Sequence, residues 1–285
     1  MALTARIPAA ADAAGFVPEI WSKKVLTAVH HKLVCVPLVD HSWEPELVKG
    51  DTMNIGLTNT VTATEVTVGT EGIVNDHASG ALKSITINQW YEAPIVIDVM
   101  TRRQSQANLE AEAQVEAGYA VAKQMDTSVN VLFSALNGGT IRGTDGSSIT
   151  DDILIAAVEE MDEDDVPQED RYWIFDPSSK ADLLKIDKFV RLDYIRTPVV
   201  PNGQFGDIYG SPIFITNNLT AVSSGTGNYG CYLHKKAIGF IGQENMKPTR
   251  VEQPLKHQVT INVESLWGVA ELRDTFGVPI YTRLA

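Results

Sequence analysis

Residues 50–97 read G50-DTMNIGLTNTVTATEVTVGTEGIVNDHASGALKSITINQWYEAPIV-I97. Met53, Ile55 and Leu57 alternate, as do Val61 and Ala63, while Val66 and Val68 take the opposite phase. Thr58, Thr60, Thr62, Thr64 and Thr67 add β-branched weight, so this run predicts a long strand with a bulge or twist near Glu65. Leu82 to Asn88 predicts the return strand, with Trp90 and Tyr91 leading on into Ile95, Val96 and Ile97. Gly69–Gly80 is polar and Gly-punctuated, as a hairpin tip requires. An isolated two-stranded hairpin of this length is marginal in water, so its second surface has to come from elsewhere. Another molecule is the leading source, which points to a building block of an assembly.

A helix of unusual length follows, expected over about 102–136. Thr101 and Gln104 have capping-box spacing, and Gly118, Val121, Met125, Val129, Leu132 and Leu136 recur at helical steps. Glu110, Glu112 and Glu116 favour the positive end of its dipole, and Asn137-Gly138-Gly139 ends it. Such a helix spans about 50 Å. Gly118 costs about 1 kcal/mol relative to Ala there, a choice that close packing of another backbone would explain.

The first 49 residues read as an extended or partly helical arm. Phe16, Ile20, Val25 and Val29, with Trp21, form a short apolar stripe before Pro37 and Pro45 break regular structure. A tail packed on its own domain and an arm reaching a neighbour both remain open. From Ile149 the pattern turns to mixed α/β. A helix is expected over Asp151–Met161, capped by Thr150, then a strand at Tyr172–Phe175 and a helix opened by Pro177. Strands are expected at Pro212–Thr216 and Cys231–Leu233, and two more at Gln258–Val263 and Trp267–Leu272.

The 285 residues suit one or two domains, and 44% hydrophobic content fills an ordinary core. Cys35 and Cys231 have no CxxC context and read as reduced, buried thiols. The N-terminus lacks a signal-peptide pattern, so a cytosolic start is expected, and no apolar run reaches membrane-helix length. Net charge is −13, concentrated in residues 51–145 (11 acidic against 5 basic) and 146–239 (15 against 8). That charge opposes tight binding of nucleic acid while allowing it to be enclosed.

Chemistry-bearing patterns are sparse. Gly225-Thr-Gly227-Asn-Tyr-Gly230 fits G-x-G-x-x-G but runs into a strand-like segment rather than a helix start, so no dinucleotide site is expected. Glu159–Asp170 (EEMDEDDVPQED) lacks EF-hand spacing and reads as a solvated helix end. The histidines form neither HxxxH nor HExxH, and no G-x-S-x-G elbow or Walker loop is present. Catalytic, cofactor-binding and metal residues are each expected to be none.

Three segments carry a resemblance. The first is Val166-Pro-Gln-Glu-Asp-Arg171 with Trp173-Ile-Phe-Asp-Pro177 and Leu183-Leu184. The second is Gly203-Gln-Phe-Gly206-Asp-Ile-Tyr-Gly210-Ser-Pro-Ile-Phe-Ile-Thr-Asn217-Asn218-Leu219, and the third is Leu233-His234-Lys-Lys-Ala237-Ile238. In this order, behind a long hairpin and a long helix, they resemble the major capsid proteins of tailed bacteriophages, with the Hong-Kong-ninety-seven-type fold. The resemblance implies an α+β fold with an N-arm (1–49) and an extended β-hairpin E-loop (50–98). It implies a peripheral domain (99–145 and 241–285) with the spine helix, and an axial α/β domain (146–240).

The resemblance also implies a structural, non-enzymatic protein that self-assembles into pentamers and hexamers of an icosahedral head enclosing double-stranded DNA. Other copies of the chain, portal, scaffolding and decoration proteins would be its partners, without a membrane. The virion, and the host cytoplasm during assembly, would be its location. Inter-subunit contacts are expected at Trp21, Glu71, Asp76, His77, Lys83, Arg102 and Arg103. Some family members join a Lys to an Asn between subunits; Lys83, Asn54 and Asn75 are present, but no local motif assigns that chemistry and none is expected. An encapsulin-like compartment shell is the rival within the fold. A cytosolic hydrolase using the Glu159–Asp170 acids and a divalent metal is the rival outside it, and it requires that substituting Asp162, Asp164 and Asp165 abolish activity. Deleting Gly69–Gly80, or placing proline at Ile85, is expected to impair assembly, seen as loss of particles by electron microscopy, more than subunit folding.

Overall fold

A computed structural model describes residues 34–46, 50–58, 61, 63, 65, 68–69, 78–104, 109–186, 188, 206–223 and 225–283. Among them, strands β1 (Thr52–Thr58) and β2 (Ala78–Thr86) pair antiparallel, with Met53 opposite Ile85 and Ile55 opposite Lys83. β3 (Gln89–Asp98) belongs to a different, three-stranded sheet with β8 (Ile238–Gln253) and β9 (Gln258–Glu271), in the order β3-β9-β8. A five-stranded sheet takes β4 (Arg171–Phe175), β5 (Asp207–Ile208), β6 (Ser211–Ile215), β7 (Gly227–His234) and β10 (Gly277–Arg283), in the order β10-β7-β4-β6-β5. Mixed helix and sheet is thus the architecture.

The expected single return strand is therefore two strands. The chain leaves the hairpin at Thr86 and enters the three-stranded sheet at Gln89, passing tightly over Gly268. A Cβ on Gly268 would lie 2.5 Å from the Thr86 carbonyl oxygen and 3.0 Å from the Ile87 Cα. Only glycine admits that approach. The root of the hairpin is also anchored in its own chain. Ile85 and Ile87 are buried with Ile241 and Leu272, and Met53, Ile55 and Trp43 pack around them. Proline at Ile85 would disturb this internal core, which weighs against the expectation that it would impair assembly more than subunit folding.

The α-helical part of the expected helix ends at Asn130, six residues before Leu136. α1 (Val99–Gln104) and α2 (Leu109–Asn130) lie on either side of residues outside the described set, and α2 passes into a 3-10 turn at Val131–Ala135. Twenty-two residues give α2 a length of about 33 Å. The start also differs: Asp98, not Thr101, caps α1, its Oδ1 accepting from the Met100 N–H at 3.2 Å. The expected apolar face is correct. Val121, Val129 and Leu136 are buried, with Met125 and Leu132 packed beside them. The position of Gly118 is open, so no backbone among the described residues accounts for it.

One turn of α2 connects separate parts of the molecule. The fully buried Asp126 accepts from the backbone N–H groups of Cys35 (2.7 Å) and Val36 (3.1 Å), fastening the arm's 3-10 turn Val36–Leu38. Ser128 Oγ donates to Gln89 Oε1 and accepts from Trp267 Nε1–H at 3.3 Å, joining α2 to β3 and β9. Asn130 Nδ2 donates to the Asn218 carbonyl at 2.7 Å, reaching the loop after β6.

The five-stranded sheet carries its own core. α3 (Asp151–Glu163) buries Leu154, Ala157 and Met161, with Ile153 and Val158 partly buried, as the spacing predicts. Thr150 sits at its N-cap position but its side chain makes no capping bond. Beneath it Trp173 and Tyr232 stack with ring centroids 3.8 Å apart, and Trp173 Nε1–H donates to the Ile208 carbonyl at 3.2 Å. α4 (Pro177–Leu183) is capped by Asp176, whose side chain accepts from the Ser179 N–H at 3.0 Å.

Two C-terminal expectations change. The segments expected at Gln258–Val263 and Trp267–Leu272 are one continuous strand, β9, because Glu264 and Leu266 pair with both β3 and β8 while Ser265 keeps its pairing with β3. The last strand, β10, pairs with β7 in the five-stranded sheet rather than joining the rest of 241–285 beside α2. Arg283 secures it with two bonds to the buried Asp182 (2.7 and 2.9 Å). Burial works against ionisation of Asp182, yet the bonds from Arg283 and Lys185 outweigh it and hold the carboxyl below its usual range.

Asp126→Ala leaves two buried N–H donors without an acceptor, at about 1–3 kcal/mol each. Urea denaturation should show a loss of about 3 kcal/mol, with a smaller loss for Asp126→Asn, which keeps an oxygen in place.

Candidate assembly surfaces

The three-stranded sheet has two different faces. Ala93, Ile95, Ile97, Ile261, Val263 and Trp267 face α2 and pack with it or its neighbours. The alternate residues point away, as strand geometry requires. On β3 these are Trp90, Glu92, Pro94 and Val96, opposite Leu266, Glu264, Asn262 and Thr260 of β9. β8 adds Lys247, Thr249 and Val251 along the same rows. Trp90 is 70% exposed and Val96 55% exposed. Asn262 Nδ2 donates to Glu92 Oε2 at 2.9 Å, which fixes one polar position between the two apolar ones. A tryptophan left this open, on a rigid sheet and beside further apolar side chains, has the character of an interface anchor.

β3 is an edge strand, which is where Pro94 can be accommodated. The β8–β9 turn projects beyond it through the 3-10 turn Pro254–Lys256, with Leu255 98% exposed and His257 in the left-handed conformation at φ 51°. Val68, near the tip of the first hairpin, is also fully exposed.

Of the expected contact residues, Trp21, Glu71, Asp76 and His77 lie outside the described residues. Lys83 is tied to its own chain, Nζ lying 3.1 Å from Glu271 Oε1. It borders a cleft of about 620 Å³ between the hairpin root and the body, with Asp40, Trp43, Ile55, Lys236 and Arg273. Arg102 pairs with Glu110 at 2.8 Å. Arg102 and Arg103 line a second cleft, of about 610 Å³, with Glu252, Pro254 and His257 at the base of the β8–β9 turn. The structure therefore brings Arg102 and Arg103 together and places Lys83 elsewhere. Trp90, Val96 and Leu255 are exposed apolar residues outside the expected set. The signal was present in β3 as the alternation Trp90, Glu92, Pro94, Val96, against Tyr91, Ala93, Ile95, Ile97.

The remaining patterns have structural roles. Gly225–Gly230 runs into β7. A Cβ on Gly227 would lie 1.9 Å from the Thr282 carbonyl oxygen, and one on Gly230 3.0 Å from that of Ile174, so these glycines admit β10 and β4. In the acid run, Glu160 pairs with Arg142 and Asp162 with Arg171, each at 2.7 Å, while Glu163, Asp164, Asp165 and Glu169 face solvent. Among the described residues no group of three or more His, Cys, Asp and Glu side chains could hold a metal ion. Cys35 and Cys231 are free and buried, and burial pushes both thiols up, away from the nucleophilic thiolate. No helix among the described residues is long and apolar enough to cross a membrane.

No protein-family model matches the sequence, and neither does any curated protein. Solved structures do match, over nearly the full length of both chains. A structure from Mycobacterium phage Che8 superposes with a TM-score of 0.78 at 19% identity, covering 93% of this chain and 97% of that one. The capsid structure of cyanophage P-SCSP1u gives 0.74 at 17% identity, covering 95% and 94%. The capsid of an empty GTA particle gives 0.67 at 10% identity, covering 97% and 98%. The chain has the fold of these phage capsid structures.

Proposed function

We propose that this chain is a major capsid protein that self-assembles, as pentamers and hexamers, into an icosahedral phage head enclosing double-stranded DNA. The observation that carries this reading is the fold, matched from end to end by structures from phage and GTA particles. A whole-length match leaves little of the chain for a separate activity, and the arrangement of side chains supports a structural rather than an enzymatic role. The virion is then its place, with the host cytoplasm the site of assembly.

In this reading the hairpin β1–β2 is the E-loop, α2 is the spine, the three-stranded sheet with α2 is the peripheral domain, and the five-stranded sheet is the axial domain. Residues 1–49 are the arm. The outward face bearing Trp90 and Val96 receives a neighbouring copy, burying apolar surface worth about 25 cal/mol per Å². Contacts that pass from one surface patch to a different one can close into rings, as a shell requires. The net charge of −13 suits a wall that encloses DNA without gripping it. Portal, scaffolding and decoration proteins are further partners that such a head would use.

Cryo-electron microscopy of the purified chain, alone and with a scaffolding partner, should show closed shells. Trp90→Asp should leave the subunit's unfolding free energy, from urea denaturation, within about 0.5 kcal/mol of wild type, while sharply reducing shells. A wild-type chain that stays monomeric under every assembly condition would contradict the proposal.

A further inference from the structure

The chain crosses between the three-stranded and five-stranded sheets twice at one place. β7 passes into β8 through the 3-10 turn Lys235–Ala237, and β9 passes into β10 through the 3-10 turn Asp274–Phe276. The two crossings are tied together, because the Ala237 carbonyl accepts from the N–H groups of both Leu272 (2.8 Å) and Arg273 (3.1 Å). Whatever fixes the Lys235–Ala237 turn therefore fixes both links between the sheets.

His234, the last residue of β7, caps that turn. It is only 4% exposed, and its Nδ1 accepts from the Lys236 N–H at 3.1 Å, which places the ring proton on Nε2. Phe276, from the second crossing, meets the ring edge-on at 5.2 Å between centroids. The charged groups acting on the ring come from each element around it. They are Asp170 and Arg171 at the start of β4, Lys236 in the turn itself, and Arg273 at the second crossing. Three of these four are cations.

We propose that His234 is an acid-sensitive latch on the double crossing: the neutral ring holds the turn, and gaining a proton releases it and loosens the orientation of the two sheets. A proton on Nδ1 turns the acceptor into a donor facing another N–H, so the capping bond cannot survive. Burial, together with Lys236, Arg171 and Arg273, outweighs the attraction of Asp170 and holds the imidazole below its usual range. The folded chain thus takes up the proton less readily than the unfolded one. The latch contributes its full stability above the ordinary imidazole value of about 6.5, and that contribution falls as pH drops from there through the lowered folded value.

Hydrogen–deuterium exchange of the full chain at pH 7.5 and pH 5.0, corrected for intrinsic rates, tests this directly. His234→Asn places an acceptor oxygen near the Nδ1 position and does not titrate. The wild type should show a several-fold rise in exchange in peptides covering 234–240 and 271–277 at pH 5.0, with α2 unchanged, and the variant should show no such rise. Equal acid responses in both proteins, or none in the wild type, would overturn the proposal. Should the variant fail to fold, the imidazole of the wild type can be titrated by NMR. A Lys236 amide that shifts with it supports the latch, and one that stays fixed overturns it.

Discussion

A single turn of α2 ties together three parts of this subunit that lie far apart in sequence. Asp126 fixes the arm at Cys35 and Val36, Ser128 fixes the three-stranded sheet through Gln89 and Trp267, and Asn130 fixes the loop at Asn218 beside the five-stranded sheet. All three polar side chains are buried. Asp126 Oδ2 and Asn130 Oδ1 are buried without a hydrogen-bond partner, so the bonds this row does make matter all the more, and a shift in register would strand several further groups at once. The apolar contacts of Val121, Val129, Phe133 and Trp267 supply attraction here; the polar row supplies the position.

That fixed frame explains how much of the molecule the sequence made legible. The inner face of α2, the core face of α3 and the buried β4 were readable because a helix or strand that packs one face repeats its apolar residues at that period. The acid run and the glycine motif were readable as structural by the context each lacked. The limits were equally physical. The passage from β2 to β3 is set by the close approach of Thr86 to Gly268, some 180 residues away in sequence, and local alternation continues across it unbroken. The capping of α1 by Asp98 competed with an equally plausible Thr101 pattern. Membership of β10 in the five-stranded sheet depends on its pairing with β7 and on the Arg283–Asp182 contact, neither of which leaves a local mark. The exposed Trp90 was written in the strand's alternation, but a tryptophan in an apolar run reads as core until the opposite face is known to be filled.

The two ends of the hairpin differ in their surroundings. Its root belongs to the subunit, through Ile85 and Ile87 against Ile241 and Leu272. Farther out, Leu82 is exposed, and so is Val68 near the tip. A rooted base with an outward tip can be folded and stable before assembly and still present a defined surface to a neighbour. In the proposed assembly, the open face at Trp90 and Val96 is the site that receives such a neighbour.

Isotope-mixed crosslinking tests that central claim most directly. A photo-reactive amino acid placed at Val68, in particles assembled from equal amounts of nitrogen-14 and nitrogen-15 chains, reports by mass spectrometry whether each crosslink joins one chain or two. The account predicts mixed-isotope crosslinks from position 68 to the outward face around residues 90–96. Crosslinks that stay entirely within single-isotope chains would show that the hairpin tip folds back on its own subunit, and would contradict it.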